Sequence, residues 1–395
     1  MDTNNDFRGS FADENVLFET QVIKNARVGD NFWKVMIFIE DDRYVTSTSW
    51  VDVPGCAGSK ALTVDRNTYA SAVNPEGALY GWLLDLFANG FTGDCILVTV
   101  GAKLEGETEP TAIIAQLKKA FAVMSPYAYH KTCLIGIPSE TGEGEPINPA
   151  VAKEFAVLCK SEYRLLSSAP YFPYCATDLA DTSTSTLYTQ LMSESKADAF
   201  MSACSDNTRN GALYSLGLAL SLTNESGTPV GNSMDMIKSG NFSSSGAGGS
   251  VPTKEEKEIL KAAKIQFFKP IGDNSGNVAA TGAETIRGSV IQADWIIAYV
   301  TYMTKVSIAQ TITVPNFVYS ESTYEAVVNK LVAYLTLFGP KGSNRLADLI
   351  ISAPSFDTLP KAKEDEYIIP NAWSATYRDQ VRTVKISGAL YLGGE

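Results

Sequence analysis

Through its first half this chain alternates short apolar runs with helical stretches of ten or more residues. No other feature restricts the fold as much. FWKVMIFIE (32–40), DCILVTV (94–100), KTCLIGIP (131–138), RLLSSAP (164–170) and ADAFMSAC (197–204) read as strands. The first is almost continuously apolar, as a central strand covered on both faces would be. Helices are expected between them at about 75–89, 110–124, 148–160, 184–194 and 210–221. Two of these open on Asn-Pro, at Asn74-Pro75 and Asn148-Pro149, where the asparagine can cap and the proline suits the first turn; Gly90 ends the first helix. Strands separated by whole helices predict an α/β fold, with a mostly parallel sheet covered by helices.

The second half has a different texture. Thr228 to Pro252 contains SSSGAGGS (243–250) and little that could be buried, so it reads as a loop or boundary. Thr253 and Glu256 form a capping box that opens a helix to about Ala263. KIQFFKP (264–270) reads as a strand and NSGNVAATGAE (274–284) as a turn-rich loop. The stretch from Arg287 to Pro340 then carries two apolar helices. In the first, Ile291, Trp295, Ala298, Tyr302, Val306 and Ala309 recur at helical spacing, and Ile296, Val300 and Met303 widen the stripe. A helix so broadly apolar wants cover on more than one side. Ser322 and Glu325 are the expected capping box of the second, and Gly339-Pro340 its stop through a left-handed cap. A short helix is expected near 343–351, followed by a loop and YIIPNAWS (367–374).

Both ends of the chain are strand-like. VLFETQVIK (16–24) follows a polar start, and QVRTVKISGALYL (380–392) is nearly terminal. Such strands can finish their own sheet or add to the open edge of a neighbour's. The pattern alone leaves both readings open.

At 395 residues the chain is long for a single core, so two domains and an arm are expected. With 45% hydrophobic residues it can bury a real core. The formal charge of −12, with no basic block, speaks against nucleic acid and anionic membrane as partners. The start lacks the basic and apolar regions of a secretory signal. The longest apolar run, Trp295 to Met303, is too short to span a bilayer. Six scattered cysteines suggest buried, reduced thiols made in a cytoplasm.

The search for chemistry finds short motifs without context. Ser193-Glu-Ser-Lys196, Ser205-Asp206-Asn207 and Lys238-Ser239-Gly240 imitate the order of serine β-lactamase motifs. That chemistry needs its serine at the start of a buried helix, whereas Ser193 falls at the end of one. The first two motifs are also too close together to build the cleft. The lone His130 has no nucleophile paired with it, and no cysteine or histidine spacing suggests zinc. GAGG (246–249) lacks a preceding strand, and there is no phosphate-binding loop. No catalytic, cofactor-binding or metal-binding residues are assigned, and no cofactor is expected.

The order of features resembles the sheath proteins of contractile phage tails. The likeness runs over most of the chain and is carried by several stretches. FWKVMIFIE, GALYGWLLDLFANG (77–90) and CILVTV match the family's early strand pair, aromatic-ended helix and strand. MDMIKSGNF (234–242), the following helix and KIQFFKP resemble the approach to the tube-facing domain. The long helix near Ala293-Asp294-Trp295 and the ending VRTVKISGALYL complete the set.

The resemblance implies a structural subunit, not an enzyme. Such subunits form six-fold rings stacked helically around a tail tube protein, bounded by baseplate and tail terminator proteins. The sheath contracts to drive the tube through the host envelope for genome ejection. It implies assembly in the host cytoplasm and residence in the virion tail, without membrane insertion or nucleic-acid binding. It also implies an N-terminal arm (1–24), an outer α/β domain (25–234), an inner tube-facing α/β domain (235–379) and a C-terminal strand arm (380–395). Val16, Phe18 and Val22 of the first arm, and Val381, Val384, Ile386 and Leu390 of the last, would be the intersubunit contacts. The alternative is another tail or injection-machine component, such as a tube, terminator or baseplate protein, and less readily an α/β enzyme.

Overall fold

Strand β1 (Val35–Ile39) is buried along its whole length, and its side chains divide between two cores. Val35, Ile37 and Ile39 enter one; Met36 and Phe38 enter the other. This is the two-faced burial that its unbroken apolar run required. The structure, a computed structural model, describes residues 35–39, 49–75, 77–88, 90–100, 110–124, 131–135, 148–162, 171–175, 187–204, 210–221, 238–239, 253–270, 278–282, 284–312, 318–359, 367, 369 and 372–377.

The protein is α/β, built on a mixed seven-stranded sheet. Its further strands are β2 (Val51–Asp52), β3 (Lys60–Val64), β4 (Cys95–Thr99), β5 (Lys131–Ile135), β6 (Tyr171–Cys175) and β7 (Phe200–Cys204), in the order β2-β3-β4-β1-β5-β6-β7. β4, β1, β5, β6 and β7 run parallel, while β3 pairs antiparallel with β4, and β2 with β3. Winding leaves β1 in one direction to β4, then reverses past it to β5. This is a doubly wound arrangement with its switch between β1 and β5.

Helices cover both faces. Buried residues of α1 (Tyr69–Ala72), α2 (Ala78–Phe87) and α6 (Gly211–Ser221) join the core that holds Ile37. Those of α3 (Pro110–Met124), α4 (Pro149–Glu162) and α5 (Leu187–Ser193) join the core that holds Phe38. There the rings of Phe38, Phe121 and Phe155 meet pairwise, with centroids 5.4 to 5.8 Å apart. α4 opens as expected, with Asn148 Oδ1 accepting the Ala150 N–H at 3.0 Å.

The second half packs onto the same two cores. α7 (Lys254–Ala262) starts with the expected capping box of Thr253 and Glu256, and its Leu260 is buried with Phe38. A three-stranded antiparallel sheet follows, in the order β8 (Lys238–Ser239), β10 (Val278–Thr281), β9 (Phe267–Pro270). α8 (Ile291–Ile312) and α9 (Glu321–Thr336) lie on the Ile37 side, where Ile291, Ile296, Val300, Leu331 and Leu335 are buried together. The side chains of Trp295, Ala298 and Tyr302 lie outside the described residues. β11 (Leu346–Ile351) and β12 (Trp373–Tyr377) form a separate antiparallel pair. The three expected domain boundaries also fall outside the described residues.

Several expectations are corrected. The helix placed at 75–89 begins at Ala78; Gly77 is its N-cap, and Asn74 instead makes a turn in which its carbonyl accepts the Gly77 N–H. The β2–β3 hairpin was missed, although Pro54-Gly55 announced a turn and Gly55 and Gly58 take the left-handed conformation. The strand between α4 and α5 is β6, at 171–175, which Pro173 disguised; 164–170 lies outside the described residues. Most of 228–252 also lies outside, but Lys238 and Ser239 form a strand. The turn-rich 274–284 contains β10, a strand because β9 supplies its hydrogen bonds. α9 is capped two residues earlier than expected, by a Ser320–Thr323 box, not by Ser322 and Glu325. Gly339 does not adopt the left-handed cap; the Leu337 carbonyl is instead satisfied by Ser343 N–H at 2.9 Å. The helix expected at 343–351 is strand β11.

Candidate assembly surface

A sheet that takes up a foreign strand must offer an edge, and the edges here differ in kind. The β7 edge of the large sheet is closed by the chain itself. Gln266 bridges Ser202 in parallel, its N–H donating to the Met201 carbonyl at 2.9 Å and its carbonyl accepting the Ala203 N–H at 2.7 Å. Its buried side chain is held as well. Ser202 Oγ donates to Gln266 Oε1 at 3.3 Å, Ser215 Oγ also donates to that oxygen, and Gln266 Nε2 donates to the Gly282 carbonyl at 2.8 Å. The opposite edge, β2, is only two residues long, a common way to blunt an edge. Val51 there is 63% exposed.

The β11–β12 pair is different. Among the described residues neither strand has a second strand partner, and at the start of β11 the Leu346 N–H donates to the Phe338 carbonyl at 2.8 Å. One face packs on the main core through Leu349, Ile351, Trp373, Ala375 and Tyr377. The other face carries Ile350, 58% exposed, opposite Ser374. Pairing moves from Ala347 with Thr376 to Ile350 with Ser374, so β11 holds an extra residue there. Asp348, in the left-handed region at φ 49°, occupies this bulge. β12 ends at Tyr377, directly before the segment that carries Val381, Val384, Ile386 and Leu390.

Four rings gather where the connection between β11 and β12 meets the start of α9. Tyr367 stacks on Tyr319 with centroids 4.8 Å apart, and Phe356 and Tyr324 close the group. The Tyr367 hydroxyl accepts the Ser320 N–H and donates to the Ser320 carbonyl, each at 2.9 Å, and it also bonds Thr323 Oγ1. Tyr324 Oη donates to the Pro354 carbonyl at 2.6 Å, and burial raises the pKa of that hydroxyl.

The start of α8 is tied to the large sheet by Arg287 and Asp198. The guanidinium donates to the carbonyls of Ala197 at 3.2 Å, Met192 at 3.1 Å and Glu194 at 2.9 Å, around the C-terminal end of α5 where a cation is favoured. The Asp198 carboxylate accepts from Thr285 Oγ1 at 3.0 Å and from the backbone N–H groups of Ala199 and Arg287.

The other sequence candidates fall as follows. Ser193 is the last residue of α5, its Oγ donating to the Gln190 carbonyl at 2.7 Å, as its expected helix-end position required. Ser205, Asp206, Asn207, Gly240, His130 and residues 246–249 lie outside the described residues. Among the described residues no group of three acidic, cysteine or histidine side chains could hold a metal, and no helix is long and apolar enough to cross a membrane. Cys56, Cys95 and Cys159 are buried thiols. Burial raises the pKa of Cys56, with Lys119 opposing it, and raises that of Cys95 further. Trp50 and Trp82 are core residues, and Trp373 packs against the core.

All seven expected contact residues, Val16, Phe18, Val22, Val381, Val384, Ile386 and Leu390, lie outside the described residues. The pairing of β11 with β12 was not expected from the sequence. Its signal was WSATY (373–377), which alternates larger apolar with small polar residues as a half-buried strand does. Compared with known proteins, the chain matches no family model and no curated sequence.

Proposed function

We propose that the protein is the structural subunit of a contractile phage tail sheath. It would polymerise as stacked six-fold rings around a tail tube protein, between baseplate and tail terminator proteins. One observation supports the reading: a two-stranded sheet whose strands have no further strand partner among the described residues stands directly before the strand-like segment 380–395. A chain with both a strand to give and an edge to receive can knit copies of itself together through backbone hydrogen bonds. Many such contacts sum to a stiff lattice yet can shift together. In this reading residues 1–24 and 380–395 are the arms, 235–379 faces the tube, and 25–234 lies outward. The role is mechanical and needs neither catalysis nor a cofactor. It places the protein in the virion tail after assembly in the host cytoplasm.

Electron microscopy of the purified protein over a range of concentrations, alone and with the cognate tail tube, tests this. Hollow striated tubes are expected from the full chain, and folded but non-polymerising protein from a chain lacking 380–395. Tubes formed equally well by the truncated chain refute the arm assignment.

The strand order favours a second reading, an α/β enzyme. Open sheets wound this way bind ligands beyond the carboxyl ends of the strands at the switch, here beyond β1 and β5. A monomer at every concentration, with the tail tube present, that binds a small molecule selects this reading.

A further inference from the structure

β11 and β12 pair although residues 352–372 separate them. A two-stranded sheet is marginal in water even when a tight turn joins it, and the entropy of closing a connection grows with its length. The ring group meets that connection at both ends. Near β11, the Pro354 carbonyl is held by Tyr324 Oη, and Phe356 lies 5.2 Å from Tyr319 between centroids. Near β12, Tyr367 stacks on the same Tyr319 and bonds both backbone groups of Ser320. Ser320 is the N-cap of α9 and Thr323 its third residue, so the far end of the connection is anchored on a helix whose own start it helps to satisfy.

We infer that Tyr367 is the positioning residue of the β11–β12 edge. It ties the end of the connection nearest β12 to the first turn of α9. It thereby makes the strand pair persistent enough to accept a third strand. The ring supplies the stacking and the hydroxyl supplies the register, since it bonds an N–H and a carbonyl of one residue. The consequence for polymerisation rests on the sheath reading; the staple itself does not.

Hydrogen exchange read by mass spectrometry on the dilute full-length protein tests the staple. Tyr367→Ala is expected to speed exchange of the β12 amides about tenfold, with β1 and α6 unchanged, because local openings are independent of the global one. Tyr367→Phe, which keeps the stacking, should show a smaller increase at β12. Ser320→Ala should speed only the first turn of α9. Unchanged β12 exchange in Tyr367→Ala overturns the inference, as does an equal acceleration throughout β1 and α6. The same variants are then examined by electron microscopy. Loss of tubes in Tyr367→Ala, with β1 and α6 still protected, ties the staple to assembly. A wild-type chain that never polymerises, while Tyr367→Ala still frees β12, leaves the staple standing and removes the sheath reading.

Discussion

Gly217 of α6 lies against the backbone carbonyl of Leu86 in α2, so closely that a β-carbon on Gly217 would overlap it. α6 is buried along nearly its whole length, so neither helix can withdraw without opening the core. The obstacle is backbone, which cannot swing aside as a flexible side chain would. Gly217→Ala should therefore destabilise the protein by about 2–3 kcal/mol, the scale of an overpacked core. Denaturant unfolding of the variant checks this, and a change below about 0.5 kcal/mol contradicts the close approach.

The Arg287 guanidinium gathers carbonyls at the end of α5 as no shorter cation could. Arg287→Ala should cost about 1.5–3 kcal/mol, the scale of hydrogen bonds made by a charged group. Arg287→Lys should recover only part of that, since an ammonium lacks the planar fork. Full recovery by lysine, seen in thermal melts of the three proteins, would show that charge alone matters there.

Phe155 is fully buried and touches the rings of both Phe38 and Phe121. Phe155→Ala should cost about 3–5 kcal/mol by leaving a cavity under the sheet. Phe155→Leu should cost clearly less. Equilibrium unfolding distinguishes this from a merely surface position, where both changes stay near zero.

Cys95 is fully buried on β4, and that burial holds its thiol neutral. Its folded pKa is raised above the ordinary value of 9.0, so the thiol makes no pH-dependent contribution while both states keep the proton. As pH rises past that value the unfolded chain loses the proton and the folded chain keeps it, so stability falls. Relative to Cys95→Ala, the wild-type protein should lose about 1.4 kcal/mol per pH unit above this point. Unfolding at pH 8, 9 and 10 measures the slope; parallel curves for the two proteins rule it out. A thiol reagent should likewise reach Cys95 only on unfolding.

What the sequence determined by itself was local. Helix α3 at Pro110–Met124, the Asn148 start of α4 and the Thr253–Glu256 box were legible because their hydrogen bonds close within a few residues. β1 was legible because five consecutive buried side chains leave no other place for it than the centre of a covered sheet. Everything that depends on a distant partner was decided only by the tertiary structure. VAAT (278–281) has small residues and weak strand preference, and it is a strand because β9 lies alongside. LADLII (346–351) suits a helix as well as a strand, and pairing with Trp373–Tyr377 settles it. The strand order, the closing of the β7 edge by Gln266 and the anchoring of Tyr367 on Ser320 join residues far apart along the chain. The candidate acceptor edge belongs to this second class. A strand's hydrogen bonds are made with another segment, so its own residues state only a preference, and the fold chooses the partner.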